Sequence, residues 1–320
     1  MLVSAPLKLA HRRPTGRPLT YSLFIDMRAK RSSVSTSISV VVPTYNSESV
    51  IGQCLASLKS QTHPPVSVIV CDGGSTDGTV AIANDWGATV MHAEANRSAQ
   101  RNAGAVRAPS EYIVFIDSDM RLTPDVLEEC VATFQESDAA LVIPEIDVGK
   151  SYWARVRGFE RSFYKTAWWL HAARCYRKAQ FLEIGGFDVA LVGPEDWDLD
   201  ERIRHFGDIR EISAAIQHDE GRADFGRLMG KKAHYAASLE VFRERHPKRA
   251  ALCLSGRIRL LLIMRQPSRL LAHPVLAAGM LKIGIAEMIV ARGWSKRWNT
   301  SNKEKPLDPD RYPLLGGDLE

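Results

Sequence analysis

Several signals that assign a protein to a well-defined class are missing from this chain of 320 residues. Its five cysteines are scattered, with no CxxC pair, which disfavours a disulfide framework or a cysteine zinc site and favours a reducing compartment. No GxGxxG follows the first predicted strand, so a nicotinamide-linked oxidoreductase is disfavoured. The formal net charge is only +5 and no nucleic-acid-binding motif is present, so we expect no nucleic-acid partner.

Long uninterrupted apolar runs are also missing. The first ten residues are broken by Pro6 and do not resemble a secretory signal. The longest apolar stretch, Leu270–Ala291, contains Lys282 and Glu287, so a clean membrane span is not expected. We expect four segments: a basic, disordered tail (1–37, with a mistaken start codon as the alternative), a catalytic domain (38–221), an amphipathic helical region (222–300) and an extended tail (301–320).

A regular alternation of strands and helices occupies the first half of the chain. The predicted strands are Ile38–Val42, Val66–Val70, Ala88–Met91, Tyr112–Ile116 and Ala140–Ile143. Between them, helices are predicted from Ser47 or Glu48, ahead of Val80, over Gln100–Val106 and over Val126–Phe134. This order predicts an α/β fold with a mostly parallel, Rossmann-like sheet covered by helices, followed by a helical extension. Ligands of such sheets bind beyond the carboxyl ends of the strands, where polar loops follow three of these strands.

Two carboxylates follow the fourth strand. Asp117 and Asp119 would share one face if the extended backbone continued. Paired acids at such a position can hold a hard divalent cation and, through it, a diphosphate. A solvated acidic turn is the alternative for an isolated Asp-x-Asp.

Six motifs, in this order, give the chain a resemblance to a known family. They are Val40–Asn46 (VVVPTYN), Cys71–Gly78 (CDGGSTDG), Gln100–Gly104 (QRNAG), Phe115–Asp119 (FIDSD), Gly185–Asp188 (GGFD) and Glu195–Asp198 (EDWD). In them the chain resembles the family 2 glycosyltransferases, which have the GT-A nucleotide-sugar fold. The resemblance implies transfer of a sugar from a nucleotide diphosphate to an acceptor, with inversion at the anomeric carbon.

The resemblance also implies a set of donor-binding residues. They are Pro43, Thr44, Tyr45 and Glu48 near the base and ribose, Asp72 at the base, Arg101 near the phosphates or the base, and Asp117 and Ser118 at the ribose or donor sugar. It implies Asp119 as the metal ligand, with His218 as a second ligand, and their oxygen and imidazole atoms suit Mn²⁺ or Mg²⁺. A strand-ending turn, a solvent-facing arginine and a structural histidine are the respective alternatives.

A second acidic motif, Glu195 and Asp196, begins a helix predicted to stop at Gly207. The helix dipole favours anions there, which suits either a catalytic base or a capping acid. By resemblance we expect Asp196 to take the proton of the acceptor hydroxyl, with Glu195 as the fallback base or an acceptor ligand. His218 follows a strand predicted over Ile212–Ile216.

The acceptor is not named by the sequence. Residues 151–177 interleave aromatic and basic side chains, which fit either an acceptor surface or an ordinary amphipathic helix. Beyond His218, basic residues beside apolar helices fit peripheral contact with an anionic membrane, or helices packed on the catalytic domain. We expect an enzyme at the cytoplasmic face of the plasma membrane, acting on a glycan or lipid-linked acceptor. The alternatives are a polyprenyl-phosphate sugar synthase and a silent sugar-nucleotide-binding scaffold.

Overall fold

The computed structural model describes residues 37–219, 221 and 224–301. The two terminal tails predicted from the sequence therefore lie outside the described residues, apart from their inner ends. The strands are β1 Ile38–Thr44, β2 Ser67–Asp72, β3 Thr89–His92, β4 Tyr112–Phe115, β5 Met120–Leu122, β6 Asp138–Val142, β7 Glu145–Asp147, β8 Ala173–Arg177, β9 Asp208–Glu211 and β10 Ile216–His218.

Helices alternate with these strands in the first half of the chain and follow them in the second. They are α1 Glu48–Lys59, α2 Thr79–Asp85, α3 Arg97–Arg107, α4 Val126–Thr133, α5 Tyr152–Arg161, α6 Lys178–Glu183, α7 Glu195–Ile203, α8 Phe225–Arg245, α9 Pro247–Cys253, α10 Gly256–Met264, α11 Pro267–Ala272 and α12 Pro274–Ser301. A short 3-10 helix covers Trp168–Leu170. Proline opens α9, α11 and α12, a position where its missing N–H leaves no helical hydrogen bond unmade.

A seven-stranded sheet in the order β3-β2-β1-β4-β8-β6-β9 forms the centre of the molecule. Neighbouring strands are parallel except around β8, which runs antiparallel to both β4 and β6. The predicted α/β fold with a mainly parallel sheet is thus confirmed, while the antiparallel strand was not predicted. A smaller sheet, in the order β5-β10-β7, contains β5, the strand that follows β4 along the chain.

Alternating residues of β1 show why helices cover both faces of the large sheet. Val40 and Val42 pack with α1 and α4, whereas Val41 packs with Phe115 and helices α3, α6 and α7 on the other face. Every residue of β1 is buried, as expected for a central strand with helices on both sides. Such burial fixes the strand ends, and with them the loops that follow.

The predicted strand over Ile212–Ile216 is wrong. Residues 212–215 are not part of a β-strand. Strand β10 begins at Ile216 and includes His218. Ile212, Ala214 and Ile216 are nevertheless buried in the core, so their alternation reflects loop packing rather than strand pairing.

Candidate functional site

The loop after β1 is held against the loop after β2. Asn46 has a left-handed backbone (φ 48°), and its side-chain oxygen accepts from the Thr76 amide at 2.9 Å. Glu48 accepts from the Gly78 amide at 3.0 Å. Pro43 and Thr44 end β1, and the ring of Tyr45 is exposed beside them. This arrangement leaves the Tyr45 ring available for stacking, and the donor-binding roles of these residues stay predictions.

Asp72 shapes the loop that follows β2. Its buried carboxylate accepts from the amides of Gly74 at 3.0 Å and Ser75 at 2.8 Å, and from the Ser75 hydroxyl at 2.5 Å. A Cβ on Gly73 would lie 2.6 Å from Nε2 of Gln100, so only glycine fits there without displacement. The loop is therefore closed tightly at the carboxyl end of β2, where Asp72 is predicted to meet the nucleotide base.

The Asp117–Asp119 segment is a turn, because the Met120 amide donates to the Asp117 carbonyl at 3.0 Å. The extended backbone that would place both acids on one face therefore does not continue beyond β4. Asp117 meets Arg101 at 2.8 Å, whereas Asp119 lies 3.4 Å from Nε2 of His218. Between them the Ser118 hydroxyl donates to the Ser47 hydroxyl at 2.9 Å. The turn thus sends the two carboxylates to different partners.

Arg101 joins the two acidic motifs. Its guanidinium is 1% exposed and donates to Asp117 at 2.8 Å and to Asp196 at 3.0 Å, with Glu195 3.9 Å away. The group also lies 5.1 Å from the centre of the Phe187 ring. Among the described residues, its Nε has no hydrogen-bond partner. Arg101 therefore clamps the site acids, and its predicted contact with the donor stays a prediction.

The charge around Asp117 keeps that carboxylate ionised. Burial alone would raise the pKa of Asp117, but the guanidinium groups of Arg101, Arg97 and Arg174 outweigh burial and hold the pKa well below its usual range. A permanently charged carboxylate at this place can accept hydrogen bonds from ribose or sugar hydroxyls throughout the neutral pH range.

The acidic pair at the start of α7 divides into a buried and a partly exposed carboxylate. Glu195 is buried and accepts from the Gly193 amide, and burial together with the charge of Asp196 raises the pKa of Glu195. The side chain of Asp196 is about a quarter open to solvent (27%). Asp196 is thus the carboxylate of the pair that an acceptor can reach.

The small sheet contributes residues that the sequence analysis missed. Glu145 on β7 accepts from Arg174 on β8 at 2.5 and 2.8 Å, and its other oxygen is 3.6 Å from Nδ1 of His218. Arg174 also approaches Asp117, at 3.9 Å. The parallel register of β7 with β10 brings Glu145 near His218, a pairing that the sequence spacing does not reveal.

A divalent cation is implied by the resemblance, and two features of the described residues fit one. Oδ1 of Asp119 is buried without a hydrogen-bond partner among these residues, and Nε2 of His218 lies 3.4 Å from the other oxygen of Asp119. No cluster of three or more potential protein ligands occurs among the described residues. Two protein ligands suffice where substrate phosphates and water supply the rest of the coordination shell, as is usual for Mg²⁺.

The aromatic segment between the two acidic motifs is largely structural. Phe159, Phe163 and Tyr164 are buried against α10, α11 and α12, so these helices pack on the catalytic domain. Trp168 stays exposed and lies under the guanidinium groups of Arg204 and Arg249. The core therefore accounts for most of these aromatics, and acceptor contact remains a prediction for the exposed one.

Comparison with known proteins identifies a family for the part of the chain that holds the donor-side motifs. Residues 39–189 match the model of glycosyl transferase family 2. A putative glycosyltransferase, EpsH, from Bacillus subtilis is 36% identical over 102 residues, which are 30% of this chain and 30% of the relative. The chain thus aligns with about a third of that curated relative's length.

Solved structures share the fold at low sequence identity. The mannosyltransferase PcManGT from Pyrobaculum calidifontis, in complex with GDP-Man and Mn²⁺, has a TM-score of 0.56 at 16% identity, covering 82% of this chain and 90% of its own. TarS residues 1–349 from S. aureus, in complex with UDP, has a TM-score of 0.50 at 22% identity, covering 81% and 91%. The resemblance read from the six motifs is confirmed: residues 39–189 match the family 2 glycosyltransferases, and the chain shares the GT-A fold of the solved structures.

Proposed function

We propose that this chain is an inverting, hexosyltransferase-type glycosyltransferase that moves a sugar from a UDP- or GDP-linked donor to an acceptor hydroxyl. The observation that carries the proposal is the bridge made by Arg101 between Asp117 and Asp196. It links the carboxylate at the end of the donor-side strand to the carboxylate at the start of α7. A donor sugar bound at Asp117 would place its anomeric carbon near Asp196.

The reaction is a single displacement in which Asp196 serves as the base. A carboxylate oxygen of Asp196 takes the proton of the acceptor hydroxyl while the hydroxyl oxygen bonds to the anomeric carbon. The bond from that carbon to the nucleotide diphosphate breaks in the same step, so the configuration inverts and no covalent intermediate forms. Glu195 suits this role less, because it is buried and already accepts from the Gly193 amide.

The donor nucleotide rests on the loops after β1 and β2. The exposed ring of Tyr45 can stack on the base, and Glu48 and Asp72 lie in the two loops that flank it. The relatives with the same fold hold UDP in one case and GDP-Man in the other, so both bases remain in the proposal.

The proposed cofactor is Mn²⁺ or Mg²⁺, held by Asp119 and His218. When bound, such an ion neutralises the charge of the departing diphosphate. Among structures with the same fold, the mannosyltransferase complex contains Mn²⁺, which supports this assignment. Burial lowers the pKa of His218, but Asp119 and Glu145 outweigh burial and raise it to about 9. Metal binding would therefore release a proton from the imidazole.

The proposed acceptor is a glycan or a lipid-linked saccharide at the inner face of the plasma membrane. A phosphate acceptor, as in a polyprenyl-phosphate sugar synthase, needs no base, and the reachable carboxylate of Asp196 therefore favours a hydroxyl. A silent sugar-nucleotide-binding scaffold would have no use for a base in this position.

The test is donor binding with and without Mn²⁺, measured by calorimetry for wild type, Asp119→Ala and Asp125→Ala. Asp125 is an exposed acid after β5 and serves as the matched control. We expect Mn²⁺ to strengthen donor binding in wild type and Asp125→Ala but not in Asp119→Ala. Equal metal dependence in all three proteins would contradict the metal site.

A further inference from the structure

The outer faces of the C-terminal helices are apolar where a packed helix normally presents polar residues to water. The inner residues Leu262 and Ile283 are buried against the aromatic segment and α5. The outward-facing apolar residues are Leu260, Leu261, Met264, Leu271, Val275, Leu281, Ile285, Met288 and Ile289, and each is exposed. We call these nine residues the apolar face. Their number in three helices exceeds the scattered exposure that ordinary surfaces show.

A groove belongs to this face. Its volume is about 340 Å³, and it is lined almost entirely by carbon atoms of α8 and α12, among them Phe225, Leu281, Ile285 and Ile289. Lys282 stands at the groove, with its ammonium 4.8 Å from the centre of the Phe225 ring. A long cationic side chain beside apolar surface is the arrangement that suits a boundary between hydrocarbon and water.

The sequence that contains the apolar face carries mostly positive charge. The sequence of residues 256–301 contains eight arginine and lysine residues and a single acid, Glu287. Arg257 and Arg265 are exposed next to Leu261 and Met264.

We propose that the apolar face docks on the surface of an anionic lipid bilayer, with α10–α12 lying in the headgroup region. A second copy of the chain fits less well, because a symmetric dimer would press two like-charged faces together. No helix among the described residues has the length and hydropathy of a membrane span. The face is remote in sequence from the donor motifs, so this inference does not depend on the proposed function.

The experiment is co-sedimentation of the full chain with vesicles of phosphatidylglycerol and phosphatidylcholine, beside vesicles of phosphatidylcholine alone. We expect binding to the anionic vesicles and a loss of binding as salt screens the arginines. Leu261→Ser should weaken binding about tenfold, because a leucine side chain that enters the bilayer contributes several methylene groups to membrane partitioning. Arg265→Glu should weaken it by more than about fivefold, because about fivefold is the effect of losing one basic contact near an anionic surface and the new carboxylate adds repulsion.

Matched controls lie on the catalytic domain. Val106 is as exposed as Leu261 (66% against 63%), and Arg107 is an exposed arginine beside it, both at the end of α3. Val106→Ser and Arg107→Glu should bind vesicles like wild type, and circular dichroism checks that all variants fold. Three results would overturn the proposal: no binding to anionic vesicles at low salt, equal losses in the controls, or a wild-type dimer that Leu261→Ser converts to monomer. Calorimetric donor binding in the same preparations, without vesicles, separates this failure from failure of the glycosyltransferase site.

Discussion

Two regions of the molecule place side chains in unusual environments, and they do so in opposite ways. One is the sheet edge at the carboxyl ends of the strands, which we call the donor edge, and the other is the group of C-terminal helices α10–α12. At the donor edge, the Arg101 guanidinium is 1% exposed and lies among carboxylates. In the helices, Leu271 is 82% exposed. Burying charge and exposing large apolar groups are both unfavourable in a protein that has only to fold. Each departure therefore supports one of the two proposals: a polar substrate at the first region and an apolar surface at the second.

Removing the proposed base should have the largest effect. Asp196→Asn should retain donor binding and lower the rate of transfer at least about 100-fold, because a carboxamide cannot accept the proton of the acceptor hydroxyl. Steady-state rates with donor and acceptor, beside calorimetric donor binding, provide the measurement. Asp200→Asn is the matched control, one turn further along α7, and should transfer normally. Transfer at the wild-type rate by Asp196→Asn would exclude its role as the base.

Replacing Arg101 tests the buried charges at the donor edge. Arg101→Met should lower the free energy of unfolding by about 3 kcal/mol, because it leaves the carboxylates of Asp117 and Asp196 without their common partner. Urea unfolding is the measurement. Arg107→Met, at the exposed end of the same helix, should change stability by less than about 0.5 kcal/mol. Similar stabilities for the two variants would show that the clamp contributes nothing.

The pH dependence of stability should depend on Asp200. Burial raises the pKa of this carboxyl from 3.8 to about 7. In the folded protein it keeps its proton at pH values where the unfolded chain loses it, so stability falls as the pH rises from about 4 to about 7, with a slope of up to about 1.4 kcal/mol per pH unit.

Urea unfolding at pH 5 and at pH 7 measures this slope. Asp200→Asn should lose about 2 kcal/mol less stability than wild type over that interval. The asparagine oxygen can still accept from the Ala173 amide, which lies 3.2 Å from the present carboxylate. Parallel slopes for the two proteins would show that Asp200 is ionised in the fold.

The smallest stability effect is expected on the apolar face. Ile285→Ser should change the free energy of unfolding by less than about 0.5 kcal/mol, because Ile285 is 46% exposed. Ile283→Ser, two residues earlier on α12, should lower it by about 3 kcal/mol, because Ile283 is 2% exposed in the core. Equal losses of stability for Ile285→Ser and Ile283→Ser, measured by thermal unfolding, would show that this part of the apolar face belongs to the core.

Strands at the centre of the sheet could be predicted because their composition reflects burial on both faces. β1, β2 and β4 consist largely of valine and isoleucine, and the structure contains each of them within two residues of the predicted bounds. Strand β8 escaped prediction because its residue Arg174 forms a buried ion pair, which gives the segment a polar appearance. Sequence alone does not reveal a partner such as Glu145, 29 residues away.

The acidic motifs of the candidate site could be predicted from the sequence, but the contacts between their side chains could not. The motifs containing Asp117 and Asp196 were identified from the sequence, but the residue that joins them, Arg101, was expected to meet the donor. The link from Arg101 to Asp196 spans 95 residues and depends on how α3 and α7 pack on the same face of the sheet. The divergence of Asp117 and Asp119 depends on a backbone turn, which two carboxylates separated by one residue do not specify.

The most direct test of the central claim is nucleotide release from a panel of UDP-, GDP- and TDP-sugars in the presence of Mn²⁺, with a chelator as the control and calorimetric binding alongside. We expect binding of a UDP- or GDP-sugar with metal-dependent release of its nucleotide, and loss of that release in Asp119→Ala. Absence of both binding and release for every donor would contradict it.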